Sequence, residues 1–269
     1  MRRGIVKLLL GVIAATMIFS GCAKKEETKP ATASEGLELI AHRGFDSQFP
    51  ENTIFAAQEA MKLKVNLECD VQFTSDGVMV VIHDDTLERT TDGKGTVKNL
   101  EYSYLEKLDA GVKFSEKYKG NKIPKFTDYL EAVKEANYIY PELKSYRTNE
   151  DIAAFTKLII DKGFENKATL QSFAYPIVLP HIRNISRSVR VGALCSDQSA
   201  FDYNLEIAKK DSNSIMLISA KIATAENLKK CTENKLGVGV WTVKEESQLK
   251  KLVEQGYNKF MLSRYMELK

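Results

Sequence analysis

The chain has 269 residues, 43% of them hydrophobic and 28% charged, with 39 Lys+Arg against 36 Asp+Glu. That balance excludes a disordered chain and suits one large domain or two small ones, a single α/β barrel of roughly 250 residues among them. The cationic surplus resides in Arg2, Arg3 and Lys7; without residues 1–21, which hold no acid, Lys+Arg falls from 39 to 36, the remainder is formally neutral, and no electrostatic footprint for nucleic acid is left.

The basic start is followed by an apolar run from Leu8 to Phe19, too short to span a bilayer as a mature helix. Ser20, Gly21 and Cys22 come next. This three-part segment resembles a bacterial lipoprotein signal, with Phe19 where leucine is usual. It implies removal of residues 1–21, lipidation of Cys22, and anchoring to the extracytoplasmic face of a bacterial cell membrane. Lys24 to Gly36, rich in Lys, Glu, Thr, Ala and Ser, then reads as a flexible tether, so residues 22–36 link the lipid to a domain at 37–269. The other cysteines, Cys69, Cys195 and Cys231, show no CxxC spacing and are read as small buried residues, a Cys195–Cys231 disulfide being left open.

Strand and helix signals alternate from Leu37 onward. Strands are expected over 37–41, 67–73, 78–82, 138–143, 168–173, 191–194, 215–218, 238–243 and 260–262. Helices are expected over 52–63, 126–136, 152–161, 204–209, 225–234 and 245–255. Such alternation predicts a mostly parallel sheet covered by helices, with one strand more than a barrel of eight requires. The spare strand is identifiable. Only Thr74-Ser75-Asp76-Gly77 separates the second and third strands, far too little for a parallel crossover, and Asp-Gly is a tight-turn signal. An antiparallel hairpin results, which brings Asp70 nearly opposite His83. Residues 86–122 read as an insertion over one end of the barrel.

Chemistry-bearing residues cluster around that hairpin. Glu68 and Asp70 are two apart on a strand and share a face, while Leu67, Cys69 and Val71 form the other. A barrel strand's outer face is covered by apolar helices, so the acids point inward, where two carboxylates repel unless a cation or proton separates them. All-oxygen ligation favours Mg²⁺ or Ca²⁺ over zinc. Glu142 and Lys144 repeat the spacing at a later strand end, as a third ligand and a point charge for a phosphate oxygen, or as a structural ion pair. Of the three histidines, His42 and His83 lie at strand ends, where barrel active sites form, and suit proton transfer; His181 is expected to be a hydrogen-bonded core residue. Arg43 is placed to fork onto a phosphate.

These residues stand in a longer ordered series: His42-Arg43-Gly44, Pro50-Glu51-Asn52-Thr53, Glu68-Cys69-Asp70-Val71, Thr74-Ser75-Asp76-Gly77, His83-Asp84, Arg89-Thr90-Thr91, Ile123-Pro124, Glu142-Leu143-Lys144, Ser172-Phe173 and Trp241-Thr242-Val243. On that series the chain resembles the glycerophosphodiester phosphodiesterase family over nearly all of its length beyond Leu37. The resemblance implies a distorted TIM (β/α)8 barrel with one divalent cation. It also implies hydrolysis of glycerophosphodiesters to glycerol 3-phosphate and an alcohol. His42 and His83 would be the acid/base pair, and Glu68, Asp70 and Glu142 the metal ligands. Arg43, Glu51, Lys144 and Trp241 would line the substrate site. Two departures touch the alcohol side and barrel closure: Lys244 stands where the family often has asparagine, and the last strand ends Met261-Leu262-Ser263. The competing readings are a lysophospholipase D or phospholipase-type diesterase on the same scaffold, with Phe45, Phe49, Phe173 and Tyr175 forming an apolar mouth, and a non-catalytic phosphodiester-binding lipoprotein.

Overall fold

A computed structural model describes residues 36–267. The expected signal, Cys22 and all of the tether before Gly36 lie outside the described residues. In chain order the elements are β1 (Glu38–Ala41), α1 (Ile54–Lys62), β2 (Asn66–Phe73), β3 (Met79–Val81), α2 (Tyr102–Leu105), α3 (Phe126–Ala132), β4 (Ile139–Leu143), α4 (Asn149–Asp161) and β5 (Thr169–Ser172), followed by α5 (Tyr175–Arg183), β6 (Arg190–Cys195), α6 (Gln198–Ala208), β7 (Ser214–Ser219), α7 (Ala225–Glu233), β8 (Gly237–Val243), α8 (Glu246–Glu254) and β9 (Lys259–Leu262). Among the described residues no helix is long and apolar enough to cross a membrane.

Eight strands pair in parallel in the order β1-β9-β8-β7-β6-β5-β4-β2, and β1 returns to β2 to close the barrel. The ninth, β3, is the antiparallel partner of β2. β2 is long enough to serve both neighbours: Asn66 and Leu67 pair with β1, whereas Val71 to Phe73 pair with β3. The hairpin turns as its sequence requires. Thr74 N–H donates to Val78 O (3.0 Å), and Gly77 takes φ +83°, a conformation glycine adopts without steric cost.

Alternation along each strand sorts side chains into two layers. On β2, Leu67, Cys69 and Val71 enter the large core beneath the helices, together with Phe126, Tyr129 and Phe155. Inside the barrel, Ile40, Tyr140, Leu194, Ile215, Leu217 and Met261 fill the axis. Residues 86–122 carry a small core of their own, in which Leu87, Val97, Leu105, Leu108 and Ala110 pack on Val80 and Ile82 of the hairpin arm. The insertion is thereby seated on β3 at the end of the barrel where the site lies.

Three expectations need correction. The chain forms α5, which is not among the expected helices, despite Pro176 and Pro180. Pro176 sits in the first turn, where no N–H partner is lost, and the buried Val178, Leu179 and Ile182 offset the interior Pro180. Helix α6 begins at Gln198, well before Asn204, because the Asp197 side chain caps it by accepting from Ala200 N–H (2.9 Å). His181 is half-buried on α5 and does not belong to the core. Cys69, Cys195 and Cys231 are buried and free, so no Cys195–Cys231 disulfide forms.

Between β1 and α1 the chain makes a tight 3-10 turn, His42–Gly44. Gly44 adopts φ +79°, and a Cβ there would lie 2.7 Å from the Ala56 methyl on α1. Gly44→Ala should therefore destabilise the fold by about 2 kcal/mol from overpacking and backbone strain, measured as a lowered midpoint in urea unfolding. A midpoint at or above the parent's would show that α1 does not press against this turn.

Candidate active site

Register places the acids. β2 and β4 pair so that Asp70 lies beside Glu142, with Glu68 one inward step below on β2. The three carboxylates offer one oxygen each within 4.8 Å of one another, and they are 2%, 1% and 7% exposed for Glu68, Asp70 and Glu142 respectively. Ile82 N–H donates to Asp70 O (2.9 Å), so the hairpin carries His83 to this corner as the turn predicts.

Each acid is held by specific donors. Arg43 takes φ 52°, which turns its N–H onto Glu68 Oε2 (2.8 Å). Its guanidinium donates to Glu51 Oε1 (3.1 Å), and Nε lies 3.2 Å from Asp70 Oδ2. Asn52, at φ 59°, is gripped twice by Asp70: its Nδ2 donates to Asp70 Oδ2 (2.8 Å), and its Oδ1 accepts from Asp70 N–H (3.1 Å). Asn52 is thus a positioning group for Asp70, while the helix-capping role falls to Thr53, whose Oγ1 accepts from Ala56 N–H (3.1 Å). Gln171 on β5 donates to Glu68 Oε1 (3.3 Å) and to Tyr140 O (3.1 Å). Lys144 Nζ stands 3.5 Å from Glu142 Oε1 and 3.9 Å from Asp70 Oδ1.

This arrangement splits the carboxyl groups electrostatically. Burial, reinforced by repulsion from Asp70, pushes Glu68 well above the usual range, and the same two causes raise Glu142 to about 8. Burial acts on Asp70 too, but Arg43, His83 and Lys144 outweigh it and hold its carboxyl below the usual range. Three buried oxygen donors, two of which keep a proton for want of positive charge, fit a hard divalent cation.

Both imidazoles are oriented by carboxylates. Asp46 Oδ2 lies 3.2 Å from His42 Nδ1, and Asp84 Oδ1 lies 2.6 Å from His83 Nδ1. A carboxylate at Nδ1 fixes the proton there and leaves Nε2 free for chemistry. Burial lowers the His83 pKa, against the raising effect of the nearby Asp70 charge. Gln72 fixes the backbone around this ring, its Nε2 donating to the carbonyls of Ile82, His83 and Asp84 (3.2, 2.9 and 2.8 Å). Arg89 bridges Asp84 to Glu51 through Nε–Oδ2 (2.5 Å) and Nη1–Oε2 (2.7 Å) contacts. Both oxygens of Glu51 accept from Arg43 and Arg89, so Glu51 ties the first loop to the insertion.

A cleft of about 70 Å³ opens among His42, Arg43, Glu68, His83, Glu142, Gln171, Phe173, Trp241 and Thr242. Trp241 donates its indole N–H to Leu217 O (2.8 Å), and its ring meets Phe173 edge-on at 5.4 Å. Phe173 is 48% exposed and forms the lip. Phe45 and Tyr175 do not join it: both are fully buried, Phe45 against Tyr265 and Tyr175 on Ser214. Sequence reasoning passes over Asp46, Gln72 and Gln171. The available signal was polarity at inward strand positions, Gln72 continuing the Glu68/Asp70 face and Gln171 lying on a buried strand.

A model of the glycerophosphoryl diester phosphodiesterase family matches residues 42–262. A glycerophosphodiester phosphodiesterase of Caldanaerobacter subterraneus subsp. tengcongensis is 31% identical over 224 residues, which are 81% of this chain and 90% of that protein. One from Bacillus subtilis is 41% identical over 151 residues, about half of either chain (50% and 51%). The structure of an Oleispira antarctica phosphodiesterase in complex with the product sn-glycerol-3-phosphate superposes with a TM-score of 0.77 at 27% identity, covering 86% of this chain and 95% of that one.

In the metal-free protein the raised carboxyls set a pH dependence. Between its ordinary 4.5 and about 8, Glu142 keeps a proton in the folded state that the unfolded state has lost. The stability that Glu142 contributes is therefore full below 4.5 and is lost as pH rises through 8. Thermal unfolding in EDTA should show this decline, and Glu142→Gln should flatten it. Added Mg²⁺ or Ca²⁺ should stabilise the parent most at the alkaline end. An identical slope for parent and Glu142→Gln would contradict the assignment.

Proposed function

The chain belongs to the glycerophosphoryl diester phosphodiesterase family and is a phosphoric diester hydrolase, and we propose that it releases glycerol 3-phosphate and an alcohol from glycerophosphodiesters with one divalent cation, Mg²⁺ or Ca²⁺, and a histidine acid/base pair. The observation that carries this reading is the meeting of three buried carboxylates and two carboxylate-held imidazoles at one barrel rim.

In this reading Glu68, Asp70 and Glu142 hold the cation, which when bound supplies positive charge to a phosphoryl oxygen. Arg43 and Lys144, already paired with those acids, direct their remaining N–H donors at the other phosphoryl oxygens. One imidazole Nε2 takes the proton of the attacking hydroxyl, which belongs to water or to the glycerol 2-hydroxyl; in the second case a cyclic phosphate forms first, and water then opens it to glycerol 3-phosphate. The other gives a proton to the departing alcohol oxygen. Asp46 and Asp84 steady the imidazolium that forms. Trp241, its N–H already used by Leu217, offers a ring face to the substrate's carbon atoms. Glu51 acts through Arg43 and Arg89. The relatives are glycerophosphodiester phosphodiesterases and a structural neighbour holds sn-glycerol-3-phosphate, so the lysophospholipase D and phospholipase-type readings are not favoured. A non-catalytic phosphodiester-binding lipoprotein would have no use for two oriented imidazoles.

The same proposal includes lipidation of Cys22 and attachment to the outer face of a bacterial membrane, supported by the three-part segment of residues 1–22. Mass spectrometry of the protein from its native membrane should find Cys22 as an acylated amino terminus, and Cys22→Ala should release it. An unmodified Cys22 would remove the anchor.

Release of glycerol 3-phosphate from glycerophosphoglycerol, with and without EDTA, tests the activity. His42→Ala and His83→Ala should each lower kcat by at least ~10². Near-normal turnover by either variant would take that histidine out of the mechanism.

A further inference from the structure

The catalytic cleft and a second, wider one of about 430 Å³ have Trp241 and Thr242 in common. Thr242 Oγ1 lies 3.5 Å from His42 Nε2, so the wide cleft borders the reacting centre. The wide cleft sits at the ends of β7 and β8. Lys221 and Lys244 stand on it beside the hydroxyl-bearing Ser196 and Ser219, and no acid lines it. The nearest carboxylates in sequence are committed elsewhere: Asp197 caps α6 (2.9 Å), Glu245 pairs with Arg264 (2.9 Å), and Glu246 with Lys250 (2.7 Å). The other cavity beside the catalytic loops, about 200 Å³ against Asp46, Glu51, Arg89 and Lys113, carries both signs of charge, with Arg89 and Glu51 paired at 2.7 Å. The cleft that borders the reacting centre at Trp241 and Thr242 is therefore basic, and the one beside the catalytic loops is balanced.

Resting on the function proposed above, we infer that the basic cleft receives the alcohol half of the diester and selects alcohols that themselves carry a phosphate group. Glycerol is a fixed, three-carbon half and needs little room, whereas the alcohol varies and suits the wide, open space. A dianionic phosphate held near two ammonium groups lowers KM through attraction that a neutral alcohol lacks, and a quaternary ammonium alcohol is repelled. Lys221 and Lys244 are specificity residues in this account and do not touch the reacting phosphorus.

The test compares kcat/KM for three diesters of glycerol 3-phosphate: with glycerol, with choline, and with glycerol bearing a terminal phosphate. The parent should prefer the phosphorylated alcohol to glycerol by about tenfold at low ionic strength, mostly in KM. The preference should shrink as salt is added. Lys221→Gln with Lys244→Gln should bring the ratio to about one, and the paired Arg substitutions should keep it. Equal turnover of the phosphorylated and glycerol diesters by the parent, or a ratio unmoved in the Gln variant, would overturn the inference while leaving the hydrolase reading intact. Failure to cleave any of the three would overturn the function itself, and this inference with it.

Discussion

Three carboxylates buried in one corner of a barrel repel one another, and the structure around them is organised by that repulsion. Desolvation and mutual charge act together, so the protein cannot keep all three ionised on its own. It divides them instead. Asp70 receives Arg43, His83, Lys144 and Asn52 and stays an anion, while Glu68 and Glu142 retain protons. The site is therefore short of positive charge by design of its neighbours, and a hard cation is the group that relieves it.

Backbone geometry carries this arrangement further than side-chain packing does. The strand period places Glu68, Asp70 and Gln72 on one face, and pairing with β4 sets Glu142 beside Asp70. The left-handed conformations of Arg43 and Asn52 then aim a main-chain N–H and a side-chain amide at the acids. Strained backbone collected at a functional corner is sustained by surrounding packing, here Gly44 lying close on α1. The hairpin does the equivalent for His83, with Gln72 gripping three successive carbonyls behind it.

Much of this was legible in the sequence because it rests on local rules. Asp76-Gly77 announces the hairpin, two-residue spacing announces the shared face of Glu68 and Asp70, and alternating strands and helices announce the barrel. What was not legible depends on how the loops fold and on contacts distant in the chain. Asp46 and Asp84 support different histidines, yet only Asp84 adjoins its ring, so Asp46 reads as an ordinary loop acid. Gln171 gains its meaning from Glu68, 103 positions away. Helix α5 contradicts its own prolines because tertiary burial of Val178, Leu179 and Ile182 outweighs local propensity. Phe45 and Tyr175 look like rim aromatics and turn out to be core, since the turn after β1 and the first residue of α5 face inward.

The most direct test of the central claim is calorimetric titration of Mg²⁺ or Ca²⁺ into metal-free protein at pH 7, repeated in buffers of different ionisation enthalpy so that displaced protons are counted. A cation entering a cage in which Glu142 titrates near 8 must expel protons as it binds. One cation per chain with release of about one proton or more is the expected result, and Glu68→Gln with Glu142→Gln should abolish it. Binding without proton release, or binding that survives both substitutions, would show that the cation, if it has a place in this protein, does not sit among these three acids.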